Sequence, residues 1–295
     1  MKFSELKIAP SKKALIYAAY ILGITLIFLY FLFPSDTVKD YVVYQLRGAN
    51  PEFGISIERV SPVIPPGIKL HAVGISRGNQ ALFDFESVKI TPGLLSLFSS
   101  RKTARFTGRV SAGNVLGRVE IDSRNDQGMD KIEGTISGVR VQGIPALQHL
   151  TPHKISGSLD GEFQITRSGP NRSMTSQLIL SDCRIDFDQP IIGQPSMGFK
   201  NIAANLVLHG GNLVIKKCQA RGSDLDADIS GTIALDGSRR REALNLSGSV
   251  MPHHGFLAKI EKSIPSELLR RKSSDGEAIS FKIGGTVNAP QFRLN

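Results

Sequence analysis

The feature that most constrains this chain is a run of twenty residues without a charged side chain near its N-terminus. The run covers residues 14–33 and reads ALIYAAYILGITLIFLYFLF. At 1.5 Å per residue, a helix of that length crosses a hydrocarbon core of about 30 Å. We therefore predict one transmembrane helix over residues 14–33. No second apolar run in the sequence approaches this length.

The charges before the run predict its orientation. Residues 1–13 form a basic tail with four lysines and a single acid, Glu5. The positive-inside rule puts this tail in the cytoplasm and the rest across the membrane, which in a Gram-negative bacterium is the periplasm. A cleaved signal peptide is the alternative, but its apolar region is usually about 7–15 residues and ends at small residues. This run is longer and ends in Phe33.

An amphipathic helix is predicted directly after the run. Within a juxtamembrane helix and linker over residues 34–54, Val38, Tyr41, Val42 and Leu46 share one helical stripe. We expect this helix to lie near the membrane surface.

From residue 55 to residue 295 the dominant period is two, which is typical of antiparallel strands with one buried and one solvated face. Alternating runs occur at 55–60, 68–73, 82–90, 132–141, 155–165, 202–208, 213–218, 229–235, 244–250 and 279–287. Short helices are predicted at 92–98, 144–150 and, interrupted by a proline, 255–272. We therefore predict a mainly β chain, in which one transmembrane helix precedes a large periplasmic domain.

Glycine is frequent, at 29 of 295 residues, and it recurs inside these runs. Ile155-Ser-Gly-Ser-Leu159 and Leu246-Ser-Gly-Ser-Val250 share one loose pattern. Glycine inside a strand marks a bulge, a bend or a close approach of two backbones. The pattern therefore predicts a curved, mostly antiparallel sheet.

The sequence carries no HExxH, Walker lysine loop or GxGxxG motif, and we predict no enzymatic activity, cofactor or metal. His149 and His153 have helical metal-ligand spacing, but a proline between them should end the helix. Asp224, Asp226 and Asp228 alternate as on a solvated strand face, and a calcium loop would need a glycine that this run lacks.

Two cysteines, Cys183 and Cys218, are 35 residues apart in the part that we assign to an oxidising compartment. A disulfide between them is one interpretation, since such compartments preserve disulfides. Two buried thiols that pack as small apolar residues are the other. The sequence leaves both open.

The chain carries a net charge of +10, which favours anionic surfaces. Its basic clusters are Arg239, Arg240 and Arg241, and Arg270, Arg271 and Lys272. Solvated turns are the default interpretation, and contact with lipid phosphates or an acidic partner is the functional one. Nucleic acid is not an expected partner, because export removes the chain from it and stacking aromatic residues are sparse.

The order of these features resembles a known family. The tail, the anchor and the amphipathic linker precede the segments 60–70 (VSPVIPPGIKL), 84–90 (DFESVKI) and 91–98 (TPGLLSLF). In this layout the chain resembles protein N of the type II secretion system (GspN), in its longer, delta-proteobacterial form. The closing segment 281–294 (FKIGGTVNAPQFRL) resembles the ends of AsmA-like proteins.

The resemblance implies a non-catalytic, single-pass inner-membrane subunit of the machine that exports folded proteins from the periplasm. Its partners would be other type II secretion subunits, in the inner-membrane platform or the outer-membrane secretin. A second hypothesis is an AsmA-like lipid-binding or lipid-transfer protein of the cell envelope, with phospholipid as its ligand. A third is a simple tether that holds a partner at the inner membrane.

Overall fold

The structure is a computed structural model in which most of the chain forms one antiparallel sheet. It describes residues 12–49, 52–64, 66–122, 129–150, 153–168, 171–191, 193–235, 243–256, 278–286 and 289–294. Fourteen strands lie in the order in which they occur in the sequence, and each pairs antiparallel with the next. The prediction of a mainly β chain with one large, curved antiparallel sheet and few helices is confirmed.

Three α-helices and fourteen strands are described, with the following bounds. The helices are α1 (Lys12–Phe31), α2 (Ser35–Ala49) and α3 (Pro145–Leu150). The first seven strands are β1 (Phe53–Val63), β2 (Gly67–Arg77), β3 (Gln80–Pro92), β4 (Arg101–Val110), β5 (Gly113–Asp122), β6 (Met129–Arg140) and β7 (Lys154–Ser168). The others are β8 (Asn171–Ile191), β9 (Gln194–His209), β10 (Asn212–Gly222), β11 (Leu225–Ala234), β12 (Ala243–Pro252), β13 (Ile279–Thr286) and β14 (Ala289–Leu294).

The connections between strands alternate between two ends of the sheet. We call these the Ile64 end, where β1 turns into β2 and β3 into β4, and the Asn79 end, where β2 turns into β3. Within the described residues, each strand makes extensive contacts only with the strands before and after it. The sheet is therefore open, with β1 and β14 as its two edges.

The helix predicted after the apolar run is confirmed as α2, but its packing differs from the expected stripe. Val38 and Val42 pack, together with Val43, against buried residues of β1 and β2. Tyr41 and Leu46 remain exposed. The short valine side chains let the helix lie close to β1, so the apolar side of α2 packs against the sheet.

The predicted transmembrane run coincides largely with α1, which covers Lys12–Phe31. Several large apolar side chains of this helix, among them Ile16, Ile21 and Phe28, are more than half exposed. No helix of the described part of the chain satisfies both the length and the hydropathy of a membrane-spanning segment.

In the first three strands, the alternation of side chains between the two faces of the sheet shifts by one residue at the level of Ala72. Ala72 in β2 has a φ of 48°, in the left-handed region. Leu70 and Val73 on either side of it are three residues apart and yet belong to the same buried cluster. The local reversal at Ala72 thus keeps the apolar side chains of both halves of the strand on one face.

Of the three other predicted helices, two fall on described residues. The helix predicted over 144–150 is confirmed as α3, and residues 92–98 include a 3₁₀ helix over Leu94–Phe98. The helix predicted over 255–272 lies, apart from its first two residues, outside the described residues.

Candidate functional site

The most distinctive surface of the molecule is a face on which apolar residues line up across all fourteen strands. Residues that are directly paired in an antiparallel sheet point to the same face. Following the pairing from β1 to β14 gives one row: Pro62, Ile68, Ile90, Phe106, Gly117, Gly134, Phe163, Ser176, Leu206, Ile215, Gly231, Leu246, Ile283 and Phe292. Ser176 is the one polar residue in it.

Two further rows flank this one on the same face. One runs from β3 to β12: Pro92, Ala104, Val119, Ile132, Ile165, Met174, Leu208, Leu213, Ile233 and Leu244. The other runs from β1 to β14: Val60, Leu70, Val88, Gly108, Val115, Ile136, Gly161, Leu178, Ala204, Cys218, Ile229, Gly248, Phe281 and Leu294. We call the three rows together the apolar face.

The opposite face is polar, since the residues between these rows along each strand are mostly charged, hydroxyl or amide. A representative row from β3 to β12 is Thr91, Arg105, Arg118, Glu133, Gln164, Thr175, Val207, Val214, Thr232 and Asn245. A sheet with one apolar and one polar face needs a cover for the apolar one, because exposed apolar area is unfavourable in water.

Helices cover the apolar face only in part. Val60 and Leu70 are buried beside α2, and a second cluster at the Asn79 end, Val110, Val139 and Ile144, is buried beside α3. None of the three helices α1, α2 and α3 makes extensive contact with β8–β14. Over most strands the central row is only half-buried. In the part of the chain that the structure describes, most of the apolar face therefore has no helix packed on it.

Two phenylalanine rings on the central row lie over glycines of the adjacent strand. A β-carbon on Gly117 would stand 2.6 Å from Cε1 of Phe106, and one on Gly134 would stand 2.8 Å from Cζ of Phe163. The aromatic rings thus occupy the space that a side chain would need and cover the bare backbone. These glycines therefore leave room for the two phenylalanine rings along the middle of the apolar face.

A groove of about 860 Å³ crosses β4 to β10. In each strand the lining includes polar-face residues, and in β4 to β9 it also includes the central-row residue: Phe106, Gly117, Gly134, Phe163, Ser176 and Leu206. Arg105, Arg118 and Lys216 supply positive charge, and Glu133 and Glu162 supply negative charge. The groove is of mixed charge and exposed, and no group of described residues could hold a metal ion.

Ion pairs on the polar face shift the pKa values of their members. A hydrogen bond from Lys131, with Nζ 2.6 Å from Oε2 of Glu133, lowers the pKa of that carboxyl group. Arg221 donates to both carboxylate oxygens of Asp228, and this contact is the main cause of the lowered pKa of Asp228. Both shifts stabilise the charged carboxylate, so neither group is prepared to act as a general acid.

The aspartates at 224, 226 and 228 do not converge on a cation site. Asp228 pairs with Arg221, and Asp226 Oδ1 accepts a hydrogen bond from the Gly222 N–H at 3.1 Å. The His253 ring lies 3.7 Å from Asp226 Oδ2. These partners lie at the end of β10 and just after β12, the two strands that flank β11. The contacts are therefore those of an ordinary polar strand face.

The helix that carries His149 ends at Leu150, as predicted from the proline that follows. The ring of His153 packs edge-on against Phe187, with ring centroids 5.4 Å apart. His153 Nδ1 accepts a hydrogen bond from the Asp188 N–H at 3.4 Å.

The two cysteines are separate thiols in the structure. Cys183 lies opposite Phe199 and Cys218 opposite Ala204, so all of β9 stands between them. Two strand spacings are roughly 10 Å, beyond the Cα separation of about 7 Å that a disulfide tolerates. Burial raises the pKa of both thiols, and the nearby Asp228 carboxylate adds to the effect at Cys218.

The two basic clusters predicted as anionic contacts, Arg239–Arg241 and Arg270–Lys272, lie outside the described residues. Their expected roles at lipid phosphates or an acidic partner stay predictions.

Comparison with known proteins identifies no relative. No family model matches the sequence, and neither a curated protein nor a solved structure matches the chain at a significant level.

Proposed function

We propose that the chain is a non-catalytic subunit of the type II protein secretion system, anchored in the inner membrane and acting by protein contacts in the periplasm. The observation that carries this proposal is the apolar face, which extends over all fourteen strands and which α2 and α3, among the described helices, cover only in part. A surface of this extent favours binding of another macromolecule. The identity of that macromolecule rests on the resemblance of segments 60–70, 84–90 and 91–98.

The membrane anchor in this proposal is supported by the uncharged run 14–33 and by the surroundings of α1. The side chains of Tyr17 and Phe28 are 68% and 59% exposed, and α1 makes no extensive contact with the sheet. A helix that is apolar on its accessible surface needs an apolar environment. The proposed orientation, with residues 1–13 in the cytoplasm, follows from their lysines.

The free edge of the sheet offers a second contact for a protein partner. The described residues of β14, Ala289–Leu294, are all exposed, and no described strand pairs with its outer side. Such an edge can accept a strand from another chain, with main-chain hydrogen bonds for affinity. Pro290 limits the pairing, since it has no N–H to donate.

A clean deletion tests the proposed function. We expect the deletion strain to retain folded export substrates in the periplasm, and the wild-type gene to restore their appearance in the medium. Complementation with Leu206→Glu should fail, because the substitution places a charge in the middle of the apolar face. Asn205→Glu, on the polar face of the same strand, is the matched control and should restore export.

The controls of this experiment guard against a trivial loss of the protein. Membrane abundance and the trypsin cleavage pattern of each variant show whether it folds. Normal export in the clean deletion would contradict the proposal, as would full complementation by a folded Leu206→Glu variant.

The same apolar face supports a second candidate function, an AsmA-like protein that binds or transfers lipid. Two of the three apolar rows run from one edge of the sheet to the other, which suits an acyl chain as well as a protein. Lipid extracted from the full chain in mild detergent should then include phospholipid that Leu206→Glu loses and Asn205→Glu keeps. Lipid held by the anchor is the same in all three proteins, so the difference reports the sheet alone.

A further inference from the structure

The Ile64 end of the sheet carries a compact group of exposed apolar side chains. Ile64, in the turn between β1 and β2, is 82% exposed. In the 3₁₀ helix between β3 and β4, Leu94, Leu95 and Phe98 are 50%, 92% and 95% exposed. We call these four residues the apolar tip. Single exposed apolar residues are ordinary, but a group of large ones on adjacent turns marks an interaction site.

The two turns of the apolar tip are neighbours in space. Gly67, the first residue of β2, lies so close to β3 that a β-carbon on it would be 3.3 Å from Cα of Thr91. Val63 pairs with the same glycine from the β1 side. Ile64 and the 3₁₀ helix therefore project side by side from the same end of three consecutive strands.

The fold holds the 3₁₀ helix in place with polar contacts beneath it. Ser96 Oγ donates to the Gly93 carbonyl at 2.6 Å and accepts from the Thr103 N–H, which is 3.0 Å away. The Gly93 N–H donates to the Thr103 carbonyl at 2.8 Å. Because the backbone is fastened to β4, the outward display of Leu95 and Phe98 is a fixed property of the turn.

The connection between α1 and α2 lies toward the same end of the sheet. α2 ends at Ala49, shortly before β1 begins at Phe53, and its extensive contacts are with β1. It must therefore run back along β1, so that its first residues point toward the Ile64 end. Phe33, at the connection, packs against the cluster that contains Val60.

Positive charge lies next to the tip. Arg101 and Lys102, the first residues of β4, are both exposed. Arg101 is opposite Asp122 of β5, which offsets part of its charge. Apolar side chains beside basic ones suit the boundary between the acyl chains and the phosphates of a bilayer.

We propose that the apolar tip inserts into the periplasmic surface of the phospholipid bilayer that holds α1. The tip fixes the sheet with its Ile64 end on the membrane and its Asn79 end directed away from it. This inference rests on the proposed membrane anchor. It adds a second point of attachment to the one that α1 provides.

A depth measurement on the full chain tests the inference. Leu95→Cys and Asn79→Cys are each introduced into a chain with Cys183→Ala and Cys218→Ala and labelled with the fluorophore NBD. The chains are placed in nanodiscs of phosphatidylethanolamine and phosphatidylglycerol, with or without lipids that carry a nitroxide near the headgroup. We expect the nitroxide to lower the emission at residue 95 about twofold, because the tip reaches the upper acyl chains. Emission at residue 79, an exposed turn at the opposite end, should be unchanged.

The possible results distinguish a failure of this inference from a failure of the proposed membrane anchor. A chain that inserts into nanodiscs but shows no quenching at residue 95 overturns the bilayer contact and leaves the anchor intact. A protein partner would then be the occupant of the tip. Equal quenching at residues 79 and 95 also overturns it, since the sheet would have no fixed orientation. A chain that fails to enter the nanodiscs overturns both the anchor and the contact.

Discussion

The ring of Phe106 in β4 covers the backbone of Gly117 in β5, and the two residues are direct partners in the sheet. A β-carbon on Gly117 would stand 2.6 Å from Cε1 of the ring and 2.6 Å from the carbonyl oxygen of Glu133. Neither neighbour can yield easily, since one is a ring in the middle of the apolar face and the other is backbone. The pair therefore fixes how closely β4, β5 and β6 approach at the centre of the sheet.

Gly117→Ala should destabilise the protein through this contact. We expect the free energy of unfolding in detergent to fall by about 1–3 kcal/mol, the usual cost of overpacking. Guanidinium titrations followed by circular dichroism measure it. Gly198→Ala in β9 is the matched control, because a β-carbon there meets nothing closer than 4.0 Å. Equal stability of the two variants would contradict the packing described.

Ala72→Gly should stabilise the protein. Ala72 adopts a φ of 48°, which costs a residue with a β-carbon about 1–2 kcal/mol and a glycine almost nothing. The greater backbone entropy of glycine in the unfolded chain offsets part of this benefit. A gain of about 0.5–1 kcal/mol in the free energy of unfolding remains. Ala203→Gly in β9 should have the opposite sign, since Ala203 pairs regularly with Ile179. A loss of stability in both variants would show that residue 72 is not left-handed.

The two thiols should stay unpaired and react slowly. Peptide mapping without reductant should find Cys183 and Cys218 in separate peptides, and a linked peptide would contradict the separation by β9. Alkylation of the half-buried Cys218 should need a higher pH than that of an exposed thiol, because its pKa is raised. The alkylation rate of Cys218 should rise at a pH above the usual pKa range of a thiol. Denaturation should remove this difference from an exposed thiol.

The contact between Arg221 and Asp228 should contribute a small, pH-dependent stability. The folded pKa of Asp228 lies below its usual 3.8, so the stabilisation is present above that pH and is lost as the pH falls through the lower folded value. Asp228→Asn should therefore cost less at acidic pH than at pH 7. Because both side chains are nearly half exposed, we expect less than about 1 kcal/mol.

A double-mutant cycle isolates that contact. In an Arg221→Gln background, Asp228→Asn should lose most of its effect at pH 7, and stability curves between acid and neutral pH measure the change. A pH-independent effect of Asp228→Asn in the presence of Arg221 would contradict the assignment.

The sequence predicts the two-faced sheet well, because side-chain alternation is a local property. Runs such as 202–208 and 244–250 fall within β9 and β12, and the strand glycines indeed mark close approaches, as at Gly231 beneath Leu246. The side of α2 that packs was predicted less well. Val43, outside the expected stripe, packs on the sheet, and Tyr41 does not.

What the sequence does not reveal is the alignment between strands. The apolar rows depend on register, and register depends on turns and bulges such as the reversal at Ala72. The match of Phe163 to Gly134 likewise joins residues 29 positions apart. Of the apolar tip, the sequence predicts only the short helix within residues 92–98, because the exposure of its side chains depends on what packs above them.

The strictly sequential order of the strands has a consequence for how such a protein is made. Every pairing joins neighbours in the chain, so each new hairpin can add to the growing edge without waiting for a distant segment. The sheet can therefore form strand by strand from its N-terminal side, beginning with the β1–β2 hairpin. Insertion or removal of a whole hairpin would lengthen or shorten the sheet and leave the pairing of all other strands unchanged.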